Sequence, residues 1–195
     1  MANYFISDLH FGHKNILTYD GRDFKTIEEH DKTIIDNWNS TVNADDDIYI
    51  LGDISWHNAK ETSEILESLK GRKHLIIGNH DTKMLRRKEI QRFFVEITHY
   101  KEIHLLNGKG IVLCHYPIPC FNHHFNGWYH LYGHVHNSFE WDMMQQIKEH
   151  TENVQKVHCN MYNVGIMMPY MEYRPKTLEE IVETVDKEEK LKHGK

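Results

Sequence analysis

Apolar residues in this chain come in short runs, and each run stops abruptly at a polar cluster. Tyr4-Phe5-Ile6 leads into Ser7-Asp8-Leu9-His10, Ile48-Tyr49-Ile50-Leu51 into Gly52-Asp53, and His74-Leu75-Ile76-Ile77 into Gly78-Asn79-His80-Asp81. Further on, Ile111-Val112-Leu113-Cys114 leads into His115, and Tyr129-His130-Leu131-Tyr132 into Gly133-His134-Val135-His136. Runs of this length and β-rich composition, closed by turn residues, predict strands. Between the early ones the apolar positions recur at helical spacing. Thr26-Ile27-Glu28-Glu29 is a capping box, continued by Ile27, Asp31, Ile34, Ile35 and Trp38. Asn58-Ala59-Lys60-Glu61 opens a second helix with Ile65, Leu66 and Leu69 on one face and Gly71 as its stop. Residues 82–94 predict a third. Strand alternating with helix is the α/β signature. Residues 99–106, the turn Asn107-Gly108-Lys109-Gly110 and residues 111–114 predict a hairpin, so antiparallel pairing joins the sheet. Thr177-Leu178-Glu179-Glu180 caps a final helix. The expected organisation is one domain over 1–185 and a charged, frayed tail over 186–195.

Composition narrows the classes. At 195 residues, 39% hydrophobic and 27% charged, the chain can bury one core. Its net charge of −6, from 23 basic and 29 acidic side chains, argues against extended nucleic-acid binding and against an anionic membrane as partner. The first residues carry no basic n-region, and no apolar run is long enough to span a bilayer, so a cytoplasmic protein is expected. Cys114, Cys120 and Cys159 form no Cys-x-x-Cys pair and read as reduced thiols. The excess is histidine, 17 in all. Neutral imidazole is the commonest metal ligand, which makes metal binding the first explanation to test.

The strand ends carry that chemistry. Ligands of open α/β sheets bind beyond the carboxyl ends of the strands, and every run quoted above ends there in Asp, Asn or His. Asp8 and His10 are expected on one side of an extended segment because side chains alternate along a strand. Asp53 arrives from a neighbouring strand behind Gly52, Asn79 brings an amide oxygen, and His115, His134 and His136 bring imidazoles. With one carboxylate shared, these residues supply four donors to each of two ions. A nitrogen and oxygen set without thiolate suits manganese, iron, zinc or nickel. Two divalent ions facing two carboxylates and a bridging hydroxide keep roughly one positive charge, which attracts phosphate.

In that order the motifs resemble the calcineurin-like metallophosphoesterases, whose pattern is Asp-x-His, Gly-Asp, Gly-Asn-His-Asp/Glu, a lone His, then Gly-His-x-His. The resemblance spans residues 4–137 by motif. It implies an α/β/β/α four-layer sandwich of two mixed sheets flanked by helices. It also implies that Asp8, His10, Asp53 and His136 hold one metal, and that Asp53, Asn79, His115 and His134 hold the other, with manganese the expected ion. A metal-bridging hydroxide would attack phosphorus in line. Asn79 would help orient the phosphate, and His80 would assist the leaving group as general acid. The expected partner is a small phosphorylated substrate, a phosphodiester or nucleotide. One departure stands out. Many members read Gly-Asp-x-x-Asp-Arg at the second motif, where the second Asp steadies the catalytic histidine; this chain reads Gly52-Asp53-Ile54-Ser55-Trp56-His57. Trp56 cannot accept that hydrogen bond, and Asp81 is the nearest carboxylate in sequence. The arginine that grips phosphate in protein phosphatases is also absent, which weighs against a phosphoprotein substrate.

Other residues carry weaker expectations. His13, with Lys14, follows the first motif and could touch substrate, as could His57 and His123; a solvated loop or simple packing is the alternative for each. Arg86-Arg87-Lys88 with Arg92 reads as a solvated helix face. Met143, Met144, Ile147, Val154 and Val157 read as core or as a contact in a homodimer. Cys114 should point away from His115 and be inert. The competing reading is a metal-binding but non-catalytic interaction module of the same fold. A metallo-β-lactamase-like site would need His-x-His-x-Asp-His, which is absent from the sequence.

Overall fold

The computed structural model describes the backbone of residues 1–193 and the side chains of residues 1–187. Four strands form the first sheet, β1 (Asn3–Ile6), β2 (Asp47–Ile50), β3 (Arg72–Ile76) and β4 (Phe94–Thr98), in that order and with every pair parallel. The second sheet runs β5 (Tyr100–His104), β6 (Gly110–Cys114), β7 (Tyr129–Tyr132), β8 (Met161–Asn163). Its β5–β6 pair is the predicted hairpin, with Tyr100 opposite Cys114 and His104 opposite Gly110; the other pairs are parallel. The second sheet is therefore mixed, while antiparallel contact in the first is confined to a bridge between Phe5 and Lys176.

Strand alternation sorts the apolar residues into layers. Ile6, Ile48, Ile50 and Leu75 face one way and pack with Ile34, Trp38 and Leu66 of the helices over the first sheet. Phe5, Tyr49, Leu51 and Ile76 face the other way and meet Ile111, Leu113, Leu131 and Tyr162 between the sheets. Val112, Tyr132 and Met161 point out of the second sheet under Phe121, Trp128 and Val135. Helix, sheet, sheet, helix is the architecture the motifs imply.

Local chemistry accounts for the helices over the first sheet. α1 (Ile16–Tyr19) is a single turn. α2 (Ile27–Thr41) starts where the Thr26 side chain accepts from the Glu29 N–H, and α3 (Ala59–Ser68) at the reciprocal Asn58–Glu61 box. The single helix predicted over 82–94 is absent: a 3-10 turn at Met84–Arg86 and the short α4 (Lys88–Gln91) flank an extended Arg87. Just before this segment, Asp81 accepts from the backbone N–H groups of Asp53, Ile54 and Gly78.

α5 (Phe139–Gln155) buries Met144 but leaves Met143 and Val154 exposed, so only part of that apolar set is core. α6 (Leu178–His193) continues into the tail expected to fray over 186–195, whose last two residues lie outside the described residues. Among the described residues no helix is long and apolar enough to cross a membrane.

A seam joins the two sheets where the site lies. The Ser7 N–H donates to Val164 O at 2.8 Å, and the Asp8 N–H to Gly52 O at 3.1 Å. The end of β1 is thus tied to the end of β2 and to the chain beyond β8. Several of the surplus histidines serve packing. His130, fully buried, donates from Nδ1 to Val112 O and accepts at Nε2 from the Ile118 N–H; burial pushes its pKa down to about 4. His74 meets Asp47 at 2.8 Å.

Candidate metal centre

The expected donors converge, but not by strand alternation. Asp8, His10, Asp53, His134 and His136 all have φ between 48° and 69°, the left-handed region. Asp8 and His10 lie beyond the end of β1, and it is this paired reversal that turns both side chains to one point. Asp and His enter that region more readily than most side chains, yet each such residue still costs about 1–3 kcal/mol. Strain concentrated on donor residues marks a site whose geometry the surrounding fold imposes. Close approach completes it. A Cβ on Gly133 would fall 2.4 Å from Asp8 Oδ2, and one on Gly52 would fall 2.7 Å from His115 Nδ1. Only glycine lets these loops meet.

Asp53 is at the middle of the cluster. Its Oδ2 is 3.9 Å from His10 Nε2 and 3.7 Å from His115 Nε2. On one side, Asp8 Oδ1 is 4.0 Å from His10 Nε2 and 3.6 Å from His136 Nε2. On the other, Asn79 Oδ1 is 2.9 Å from His115 Nε2 and 3.0 Å from His134 Nδ1. The structure gathers the sequence-expected donors into one cluster, in which the ligand atoms of Asp8, His10 and His136, and those of Asp8, Asp53 and His115, lie within 4.8 Å of one another.

The chemistry of the set fits cations. Asp8 and Asp53 are buried carboxylates side by side. Burial pushes the Asp53 carboxyl up to about 6; His115 opposes this and Asp8 adds to it. Burial likewise holds His10 neutral, with nearby Arg22 reinforcing the effect. Its Nε2 is buried, faces Asp8 and Asp53, and has no hydrogen-bond partner. An orphaned imidazole nitrogen facing two carboxylates is a costly arrangement without a cation to serve all three. His115 fixes its own tautomer by donating Nδ1–H to Leu51 O at 2.6 Å, which leaves Nε2 as a lone-pair donor.

Two residues of the site escape sequence reasoning. Asp20 contacts His136 Nδ1 at 2.7 Å through Oδ1, which turns Nε2 toward Asp8. Burial alone would lower the His136 pKa, but the Asp20 hydrogen bond and the charges of Asp8 and Asp20 outweigh it and raise it. Arg22, whose side chain is buried, donates to Asp20, to Asp8 O at 3.0 Å and to Leu9 O at 3.3 Å, and meets His30 Nε2 at 2.9 Å. It thereby braces the loop that holds Asp8 and His10. No spacing rule links residues 116 positions apart. Outer hydrogen-bond partners of a ligand histidine are typically worth about ten- to a hundredfold in metal affinity. Asp20→Asn is expected to lower affinity for one ion by that factor, read by calorimetric titration of metal-stripped protein; unchanged affinity would mean that the backbone alone aligns His136.

The remaining expected residues divide. His13 Nδ1 is 3.1 Å from His10 Nδ1, at the mouth of the site. His80 is exposed over Asp53: its backbone N–H donates to Asp53 Oδ1 at 3.0 Å and its Nε2 is 4.0 Å from Asp53 Oδ2. His57 is instead held between Asp31 at 2.9 Å and Glu61 at 3.2 Å, packed beneath Gly12, and acts as a brace. His123 packs on Trp128, 4.6 Å between ring centroids, on the outer side of the second sheet. Cys114 is buried, as expected, and burial raises its thiol pKa.

Comparison with known proteins agrees with this arrangement. The sequence matches the calcineurin-like phosphoesterase family, Metallophos, over residues 3–181. Uncharacterized protein MJ1445 of Methanocaldococcus jannaschii is 32% identical over 186 residues, 94% of this chain and 91% of that one. Gene 66 protein of Mycobacterium phage L5 is 44% identical over 85 residues, 42% of this chain and 41% of the phage protein. Among solved structures, the protein of unknown function AQ665 from Aquifex aeolicus is similar with a TM-score of 0.61 and 27% identity, covering 93% of this chain and 98% of that one. The strand-end donors and a match over nearly the whole length make this chain a member of the calcineurin-like phosphoesterase family.

Proposed function

We propose that the protein is a dimetal phosphoesterase that hydrolyses small phosphate mono- or diesters, with a phosphodiester or nucleotide as the favoured substrate. The observation that carries this reading is the buried Asp8–Asp53 pair with the unpartnered His10 Nε2 turned onto it. Asp8, His10, Asp53 and His136 would hold one ion, and Asp53, Asn79, His115 and His134 the other. Manganese is the favoured ion for this nitrogen and oxygen set, with iron, zinc and nickel as alternatives. Bound there, two divalent ions supply Lewis acidity that activates water as the nucleophile and neutralises phosphoryl charge.

The protein's own groups supply the rest. Asn79 is exposed at the rim and offers its amide N–H to a phosphate oxygen. The exposed His80 ring can give a proton to the leaving oxygen as the bond from phosphorus to that oxygen breaks and water's hydroxyl joins phosphorus. The net charge of −6 weighs against a long polyanion, so the substrate is read as small.

The test is a panel of phosphate mono- and diesters assayed with metal-stripped protein reloaded with manganese, magnesium, zinc or nickel. Turnover restored by one of these ions, with about two ions bound per chain, is the expected result. Full metal occupancy without turnover of any ester would overturn the proposal and favour the non-catalytic module.

A further inference from the structure

The site leaves His80 without the carboxylate partner that usually aligns a working imidazole. Its backbone is fixed through Asp53 Oδ1, but its Nε2 stands 4.0 Å from Asp53 Oδ2, beyond hydrogen-bond range. Asp81, next in sequence, is not the partner. It is buried, and its two oxygens accept from the N–H groups of Asp53 and Gly78 (Oδ2) and of Ile54 (Oδ1). What the His80 ring touches is Trp56, with centroids 4.7 Å apart and planes inclined by 47°.

The same indole carries two further imidazoles. His10 stacks on it at 4.4 Å and 15°, and His13 at 4.3 Å and 5°. Trp56 is itself anchored, because its backbone N–H donates to Phe11 O at 2.8 Å beside the Phe11–Ser55 bridge. Its position is therefore set by the backbone that joins the loops of the first two motifs. A ring contact differs from a carboxylate in kind. It fixes the plane of the imidazole and leaves both ring nitrogens available to substrate and solvent.

We propose that Trp56 is a positioning residue for His80, holding the imidazole over the centre by ring packing where a carboxylate would hold it by a hydrogen bond. This rests on the reading of His80 as the group that assists the leaving oxygen. Aromatic pairs of this geometry are worth enough to change a rate by about three- to tenfold. The effect belongs to the proton-donating step, so it should depend on the leaving group.

The experiment is a double-mutant cycle on the metal-loaded protein with Trp56→Ala, His80→Ala and the pair, and with Trp56→Phe as the conservative variant. Two diesters serve as probes, one releasing a nitrophenol and one releasing an alkyl alcohol. Trp56→Ala is expected to lower kcat for the alkyl ester by about three- to tenfold with KM and metal content kept, and to change the nitrophenyl ester little. Trp56→Phe should restore most of the loss, and in the His80→Ala background Trp56→Ala should cost nothing further. An independent readout is proton NMR of the metal-stripped protein. The His80 ring protons should lose a ring-current shift in Trp56→Ala and keep it in Trp56→Phe. Additive losses, or an unmoved His80 resonance, would overturn this inference alone. Metal loss in Trp56→Ala with the His80 resonance unmoved would assign the indole to His10 instead. A wild-type rate in His80→Ala would overturn the reading of His80 and this inference with it.

Discussion

Replacing His80 by alanine is expected to lower turnover of a poor-leaving-group ester by about 10²–10⁴-fold while both metal positions stay intact. The separation follows from where the residue sits. Its hydrogen bond to a donor residue, Asp53, comes from the backbone N–H, and alanine keeps that N–H. The imidazole is 52% exposed and packs on Trp56, so truncation opens no cavity in the core and the fold should be unaffected. On the proposed reading, what is lost is the group that protonates the leaving oxygen. Steady-state kinetics together with metal analysis of the same sample checks this; an unaltered rate would make His80 a structural residue.

Asp53→Asn is expected to do the reverse, removing both ions while leaving the polypeptide folded. Asp53 Oδ2 lies 3.9 Å from His10 Nε2 and 3.7 Å from His115 Nε2, so one carboxylate faces donors of both expected ions. An amide removes the shared negative charge and can turn N–H groups toward imidazole nitrogens that should act as lone-pair donors. The loss should exceed the roughly hundredfold that outer partners of a ligand produce. Two ions retained on elemental analysis would contradict it.

The same variant carries a second expectation of opposite sign. A carboxyl whose folded pKa is raised to about 6 contributes stability that is present below its unfolded value and lost as pH rises through about 6. At neutral pH the metal-free fold therefore bears a cost at Asp53 that asparagine removes. Metal-stripped Asp53→Asn should unfold at or above the temperature of metal-stripped wild type at pH 7, measured by thermal melts after chelation. A lower value would mean that the carboxylate stabilises the fold without metal.

The way Asp53 and His80 were legible in the sequence differs from the way Trp56 and Asp20 were not. Each strand of the parallel system delivers its next few residues to the same edge, so a polar residue at the end of an apolar run is already placed to within a loop. Asp8, Asp53, Asn79, His115 and His134 could be read in this way. Asp8 and His10 converge for a reason other than strand alternation, through left-handed backbone beyond the strand. Strand alternation is a rule for extended residues and does not reach past the last ladder hydrogen bond. Asp81 is likewise drawn into the site, by the backbone N–H groups of Asp53 and Ile54 on a neighbouring loop and of Gly78 on its own.

Histidine abundance was a poor guide and histidine position a good one. His30 lies between Arg22 and Asp31, His57 between Asp31 and Glu61, and His130 bridges two backbone groups. These rings serve a polar network and a core.

By itself the sequence determined the strand runs and the polar residues that close them, because hydrophobic periodicity and turn chemistry act over a few residues and survive in any context; the layers followed from the family its motifs resemble. Tertiary structure alone decided which nitrogen of each imidazole faces the centre, that Asp20 and Arg22 brace it, and that Trp56 takes the place beside His80. Those choices depend on contacts between loops far apart in the chain, held at angstrom precision by the seam where the two sheets meet, and local sequence carries no record of such distances.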